Sequence, residues 1–234
     1  MEVTNKEIRL RRFYGDVARV QNRAILGFMT GVRVLDVGCG YGCLVDQIKR
    51  EKTGIEVIGI DVDPESIKIA KSMYGIDVRP VSVCNMNFPD GYFDTVILRE
   101  AVHHLYHEAD FARAMSEIGR VCKKELIIFD PNPNWVVKLC RKIIRHSDPE
   151  ADPTSIMNAI EKNGFKVTSC IWRDVVAFPA SGGFVGREIV PNNSFIKKYI
   201  LLIDEWLNLI CRKLRIQRYI CWRYIIYATK KHHI

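Results

Sequence analysis

Short apolar runs alternate with segments of helical period along most of the 234-residue chain. Val32 to Val37 (VRVLDV) has the pattern of a buried parallel strand and ends at glycines. Tyr41 to Lys49 then turns helical, with Leu44, Val45 and Ile48 on one face. Glu56 to Asp61 is a second strand. Asp63-Pro64-Glu65 opens a second helix with a capping carboxylate, a proline at the first helical position and an acid near the positive helix end. Gly75 closes that helix. Ile76 to Val83, Phe93 to Leu98 and Glu125 to Asp130 read as strands three to five. Ala109 to Cys122 is helical, with Phe111, Met115, Ile118 and Val121 in register. Strand, helix, strand, helix predicts a parallel sheet covered on both faces.

The pattern changes toward the end. Thr154 to Asn163 is helical and stops at Gly164, Phe165 to Arg173 reads as strand six, and Arg223 to Thr229 as strand seven. Residues 174–220 form an insertion between them, with a glycine-rich loop at Ser181-Gly182-Gly183 and a helix from about Ser194 to Leu214. The predicted fold is α/β: a Rossmann-like, doubly wound, seven-stranded, mostly parallel sheet with an antiparallel edge hairpin, in three α/β/α layers. One domain is expected over 1–234, with a helical lid region at 1–30. The insertion helix carries Phe195, Tyr199, Leu202, Trp206 and Leu209, a face too apolar to stand free. It is therefore expected to be buried as a cap over an acceptor pocket.

Composition narrows the class. Hydrophobic residues make up 48% and charged residues 26%, which are globular values, and no repeat or low-complexity tract appears. The charged start, MEVTNKEIRLRRFYGD, lacks the apolar run of a signal peptide, and no stretch reaches the ~18 apolar residues that span a bilayer. Eight cysteines without a CxxC pair read as reduced, mostly buried thiols rather than a zinc site, so a cytoplasmic protein without bound metal is expected. The net charge of +8 is unevenly placed: residues 187–234 carry ten Lys/Arg against three Asp/Glu. A basic tail attracts an anionic acceptor, an anionic lipid surface or a nucleic acid, or is simply a solvated face. Peripheral membrane contact through this region is one expectation. A nucleic-acid substrate is the weaker one, because no recognised RNA-binding module is present. Oligomeric state is open.

Asp36-Val37-Gly38-Cys39-Gly40-Tyr41-Gly42 follows strand one and opens a helix, so its glycines let the backbone turn sharply and a ligand approach closely. Such a loop serves NAD, FAD or S-adenosylmethionine. A dinucleotide fingerprint wants a third glycine at position 43, where this chain has Cys43. Asp36 would also repel a pyrophosphate but attract the cationic ammonium and sulfonium of S-adenosylmethionine. Asp61 ends strand two, placed to grip ribose hydroxyls, and Val62 can pack on adenine.

VLDVGCGYG, GIDVDPESIKIAK and NFPDGYFDTVILREAVHHL together resemble class I S-adenosylmethionine-dependent methyltransferases of the small-molecule, methyltransferase 11 kind, over roughly residues 32–130. The resemblance implies a seven-stranded sheet with strand seven antiparallel. It also implies S-adenosyl-L-methionine as cofactor and methyl transfer to a small or medium-sized acceptor such as a metabolite, lipid or sugar. Counting back from Phe88-Pro89-Asp90, the family position that usually carries an acid for the adenine amine is Ser82. Val83 can still offer its backbone amide, and Asn85 is a substitute contact. A nucleic-acid methyltransferase and a non-catalytic S-adenosylmethionine-binding protein stay as alternatives.

Methyl transfer from a sulfonium is an in-line displacement that needs an aligned nucleophile, exclusion of water and, for some acceptors, a base. The residues after strand four are Arg99, Glu100, Ala101, Val102, His103 and His104. His103, Glu100 and His104 are candidate catalytic residues, and Arg99 is polar at the ligand-binding edge of the sheet. Asp130-Pro131-Asn132-Pro133-Asn134-Trp135 is read as a wall of the acceptor pocket. In similar enzymes an aromatic on the N-terminal helix closes over the cofactor, a role that falls here to Tyr14.

Overall fold

The computed structural model describes residues 12–106, 110–144, 150–183, 185, 189–191 and 193–231. Its elements in chain order are α1 (Phe13–Leu26), β1 (Arg33–Val37), α2 (Cys43–Glu51), β2 (Glu56–Asp61), α3 (Pro64–Tyr74), β3 (Val78–Pro80) and β4 (Phe93–Arg99). There follow α4 (Val102–Leu105), α5 (Phe111–Val121), β5 (Cys122–Pro131), α6 (Trp135–Ile144), α7 (Pro153–Lys162), β6 (Phe165–Arg173), α8 (Ala177–Ala180), α9 (Ser194–Lys213), α10 (Gln217–Ile220) and β7 (Arg223–Lys230).

The strands form one sheet of order β3-β2-β1-β4-β5-β7-β6. β1 to β5 are parallel, with Leu35 in register with Ile58 on one side and Val96 on the other. β7 enters antiparallel between β5 and β6. Its first residues sit at the far ends of both neighbours: the Asn132 N–H donates to Trp222 O at 2.9 Å and the Trp222 N–H to Asp174 O at 2.8 Å. At the opposite end of the β6–β7 pair, the Lys231 N–H donates to Gly164 O at 2.9 Å. The predicted sheet and its antiparallel edge pair are both present.

The order reverses between β1 and β4, which makes the carboxyl edge there the ligand-binding position of a doubly wound sheet. The central strands are buried on both faces, as their unbroken apolar runs dictate: Val34, Leu35, Val96, Ile97, Leu98 and Leu126 are all inaccessible. Asp63 caps α3 through the N–H groups of Glu65 and Ser66, and Gly75 ends it in a left-handed conformation.

Two strands differ from their expected bounds by more than one residue. β3 spans only Val78–Pro80, because proline brings no N–H to a ladder and the Val81 N–H turns back to Asp61 O and Arg79 O. Ser82, Val83 and Asn85 therefore lie in a loop. β5 begins at Cys122, directly after α5, and runs on to Pro131.

The chain divides into two compact units. One comprises residues 25–131, 149–171 and 224–234, and the other residues 1–24, 132–148 and 172–223. The first holds nearly all of the sheet. The second is built around Phe13, Val17, Val137, Ala177, Phe178 and Trp222, with Tyr14, Ile200 and Leu201 packed on that cluster. Asn193 caps α9 by accepting the N–H groups of Phe195 and Ile196.

Helix α9 corrects the sequence expectation. Phe195, Tyr199, Leu202, Trp206 and Leu209 are between 49% and 65% exposed, while the side turned inward carries Asp204 and Cys211. The reason is a polar anchor. Asp204 Oδ1 accepts the N–H groups of Val175, Val176 and Ala177 at 2.9, 2.6 and 2.8 Å, groups that the start of α8 would otherwise leave unsatisfied. Oδ2 accepts from the Asn208 amide. The buried carboxylate sets which side of α9 faces inward, and the apolar stripe is left outside.

Candidate active site

At the β1–β4 switch point a cavity of about 450 Å³ opens, within the roughly 300–1,000 Å³ range of small-molecule sites. Its walls come from the ends of β1, β2 and β4 and from the loop after β3. Of the residues singled out by sequence, Gly38, Gly40, Asp61, Val62, Ser82, Val83, Glu100 and His104 line it. Asp36, Cys39, Tyr41, Asn85, Arg99, His103 and Tyr14 do not line it.

The glycine loop is held open by backbone geometry. Gly38 has φ +69°, and a Cβ there would stand 2.8 Å from the Ala101 Cβ. Gly40 has φ +52°, and a Cβ there would point into open space, where a ligand meets bare backbone. Asp61 does more than end β2. Its Oδ2 accepts the Gly40 N–H at 2.7 Å and its Oδ1 the Asp63 N–H at 2.9 Å, so the same carboxylate that faces the cavity ties the loop to β2. Val62, 70% exposed, presents an apolar surface beside it.

Asp36 sits beneath the loop and is 1% exposed. Its Oδ1 is buried with no hydrogen-bond partner among the described residues. Burial pushes its carboxyl up to about 7; Arg99 pulls it back and Asp61 adds to the rise. A cationic ligand would supply the missing partner and hold the carboxylate ionised. The orphaned acid, the bare glycine backbone and the apolar Val62 together fit S-adenosylmethionine and disfavour an anionic pyrophosphate.

The edge after β4 is strained. Glu100 has φ +56°, a left-handed conformation for a side chain that rarely adopts it, and its N–H donates to Phe129 O at 2.7 Å. This turn places Glu100 and His104 on the cavity wall. His103 is turned away: it is 3% exposed, and its Nδ1 donates to Asp130 Oδ1 at 2.9 Å. The two imidazoles stand 4.1 Å apart, centroid to centroid. Arg99 lies with its guanidinium 5.7 Å from the centre of the Phe129 ring.

Ser82 is exposed, with its Oγ accepting the Cys84 N–H at 3.3 Å, while Val83 is buried at the cavity wall. Asn85 is exposed outside the cavity lining. Tyr14 is half-buried in the second unit, against the Phe13 cluster. The expected acceptor-wall loop serves the chain itself: the amides of Asn132 and Asn134 donate to Cys221 O at 2.8 and 2.7 Å, and Asn134 Oδ1 accepts the Val137 N–H.

Sequence reasoning missed Asp130 as the partner of His103, and missed the cavity residues Val81, Cys84 and Leu105. Asp130 was recognisable in part, as an acid ending a strand at the same sheet edge. Apolar lining residues carry no signal that separates them from core.

Residues 35–129 match the methyltransferase-domain family. Among curated relatives, the chain is 27% identical over 160 residues to phthiotriol/phenolphthiotriol dimycocerosates methyltransferase 1 of Mycobacterium ulcerans, covering 64% of this chain and 58% of that protein. It is 32% identical over 122 residues to the ubiquinone biosynthesis O-methyltransferase of Rhodopseudomonas palustris, covering 49% of this chain and 46% of that one. The chain thus spans about half the length of the curated relatives it matches. Its fold superposes on the crystal structure of a SAM-dependent methyltransferase from Archaeoglobus fulgidus with a TM-score of 0.66 at 23% identity, over 92% of this chain and 94% of that one. Residues 35–129 are therefore similar to the methyltransferase-domain family, and the chain has the fold seen in the SAM-dependent methyltransferase of Archaeoglobus fulgidus.

Proposed function

We propose that the protein transfers the methyl group of S-adenosylmethionine to a small or medium-sized acceptor at the cavity beside β1 and β4. The observation that carries this reading is the buried, orphaned Asp36 oxygen beneath an open glycine loop, a site built for a cation rather than a phosphate. Asp36, Asp61, Val62 and the backbone of Gly38 to Tyr41 would hold the cofactor, with Val83 beside the adenine and Ser82 and Asn85 at the rim. When bound, S-adenosylmethionine supplies an electrophilic methyl on a sulfonium.

The chain's own residues position the acceptor and handle its proton. Glu100 and His104 line the cavity and are the groups able to take a proton from an acceptor there. His103 acts through position: its hydrogen bond to Asp130 fixes its ring, against which His104 lies. The relatives' names point to apolar, ring- or chain-bearing acceptors, which supports a lipid-like molecule as acceptor here. The exposed bases Arg212, Lys213, Arg215 and Arg218 favour an acceptor, or a surface holding it, that is anionic. Eight free thiols favour a reducing, cytoplasmic setting.

Calorimetric titration with S-adenosylhomocysteine and with NAD tests the cofactor reading. Binding of the first and none of the second is expected; the reverse would overturn it. Loss of turnover in His104→Ala with S-adenosylhomocysteine binding intact is expected in a labelled-methyl assay against lipid and metabolite extracts.

A further inference from the structure

Helix α9 is apolar on two sides: Ile200, Leu201 and Cys211 face inward, and a further apolar stripe is left outside. Its anchored side carries Asp204, Asn208 and the largely covered Lys197, and its outer side carries Phe195, Tyr199, Leu202, Ile203, Trp206 and Leu209. In water a surface helix normally keeps its outer side polar. A second outer stripe lies on α6, where Trp135, Leu139 and Ile143 are 64%, 50% and 71% exposed at helical spacing. Helix α10 packs against both α6 and α9. Exposed apolar stripes of this kind mark an interaction site.

Charge identifies the occupant. Exposed bases stand at the margins of both stripes: Lys138 and Lys142 on α6, and Lys198, Arg212 and Lys213 on α9, followed by Arg215. The outer side of α9 offers a single exposed acid, Glu205. A second copy of this chain would bring one basic rim against another, which is unfavourable. An anionic lipid surface accepts both components, taking the aromatic and aliphatic groups into the headgroup boundary while its phosphates meet the bases. No helix among the described residues is long and apolar enough to cross a bilayer, so α9 would lie on the surface rather than span it.

We infer that the outer faces of α9 and α6 dock the protein on an anionic lipid bilayer. This deepens the lipid-like acceptor reading above, because docking would hold the enzyme at the phase where such acceptors reside.

The full chain is sedimented with vesicles of phosphatidylcholine alone and with vesicles of an equal phosphatidylcholine–phosphatidylglycerol mixture, at low and high salt. Binding is expected to the mixed vesicles and to weaken with salt. The double variant Leu202→Ser, Trp206→Ser keeps every charge, and both residues are exposed, so folding is preserved. It should bind about tenfold or more weakly. Reversing Arg212, Lys213 and Arg215 to Glu should weaken binding roughly a hundredfold. Absence of vesicle binding overturns the inference, as does unchanged binding of the serine variant, since a basic chain merely adsorbing would not need the apolar face. A dimer that dissociates with the serine substitutions, without vesicle binding, overturns it in favour of a second copy. S-adenosylhomocysteine titration of the same samples separates the two readings: vesicle binding without cofactor binding defeats methyl transfer and leaves docking standing.

Discussion

Replacing Asp36 with Asn gives the sharpest test of the site. The carboxyl is 1% exposed, and burial raises it from an ordinary 3.8 to about 7. A raised acid binds its proton more tightly folded than unfolded. Its stabilising contribution is therefore complete below the unfolded value and is lost as pH rises through the folded one. Three pH units at 1.36 kcal/mol each give a loss of about 4 kcal/mol between pH 4 and 7. Asp36→Asn, neutral throughout, cannot show it. Urea denaturation of the unliganded proteins from pH 4 to 8 should find the variant similar at the acid end and more stable than wild type at pH 8. Ligand binding should run the other way. A cationic ligand selects the ionised carboxylate, so wild-type affinity for S-adenosylhomocysteine should rise about tenfold per pH unit up to 7 and then level. The variant should be flat with pH, and at pH 8 about ten- to a hundredfold weaker, through loss of a charge-assisted hydrogen bond. If the stability difference between the two proteins stayed constant from pH 5 to 8, the account of a strained, buried acid awaiting a cation would be wrong.

Further outcomes follow from the same geometry. Asp61→Ala should weaken S-adenosylhomocysteine binding by about 1.5–3 kcal/mol, because the Gly40 N–H loses its acceptor along with the proposed ribose contact; wild-type affinity by calorimetry would remove Asp61 from the site. Gly38→Ala, forced to a positive φ with its Cβ against Ala101, should cost about 1–2 kcal/mol of stability, read as a lowered denaturation midpoint. His103→Ala leaves Asp130 fully buried without its imidazole and should destabilise the fold by about 3–5 kcal/mol. His104→Ala, at an exposed position, should change stability by less than about 0.5 kcal/mol, so equal losses in the two variants would contradict their assignment.

Local patterns carried a large part of this protein. The apolar runs ending at Val37, Asp61 and Leu98, the Asp63-Pro64 helix start and the Gly75 stop appear in the structure because each is decided within a few residues, by capping, proline geometry or burial on both sheet faces. The acid two positions before the first glycine was legible for the same reason, since the loop is a local motif. Tertiary structure alone decided which of two adjacent histidines reaches the cavity: their order in the chain is identical in character, and only the buried Asp130 carboxylate selects His103 to turn inward. It also decided the orientation of α9. Period and hydrophobicity said that the stripe from Phe195 to Leu209 should be covered. The inner side is instead the one that carries the buried Asp204 carboxylate, which accepts three backbone N–H groups 27 to 29 residues away in sequence. These hydrogen bonds, together with Ile200 and Leu201 packed on the Phe13 cluster, join segments that no local pattern relates, so period alone could not choose the inner side.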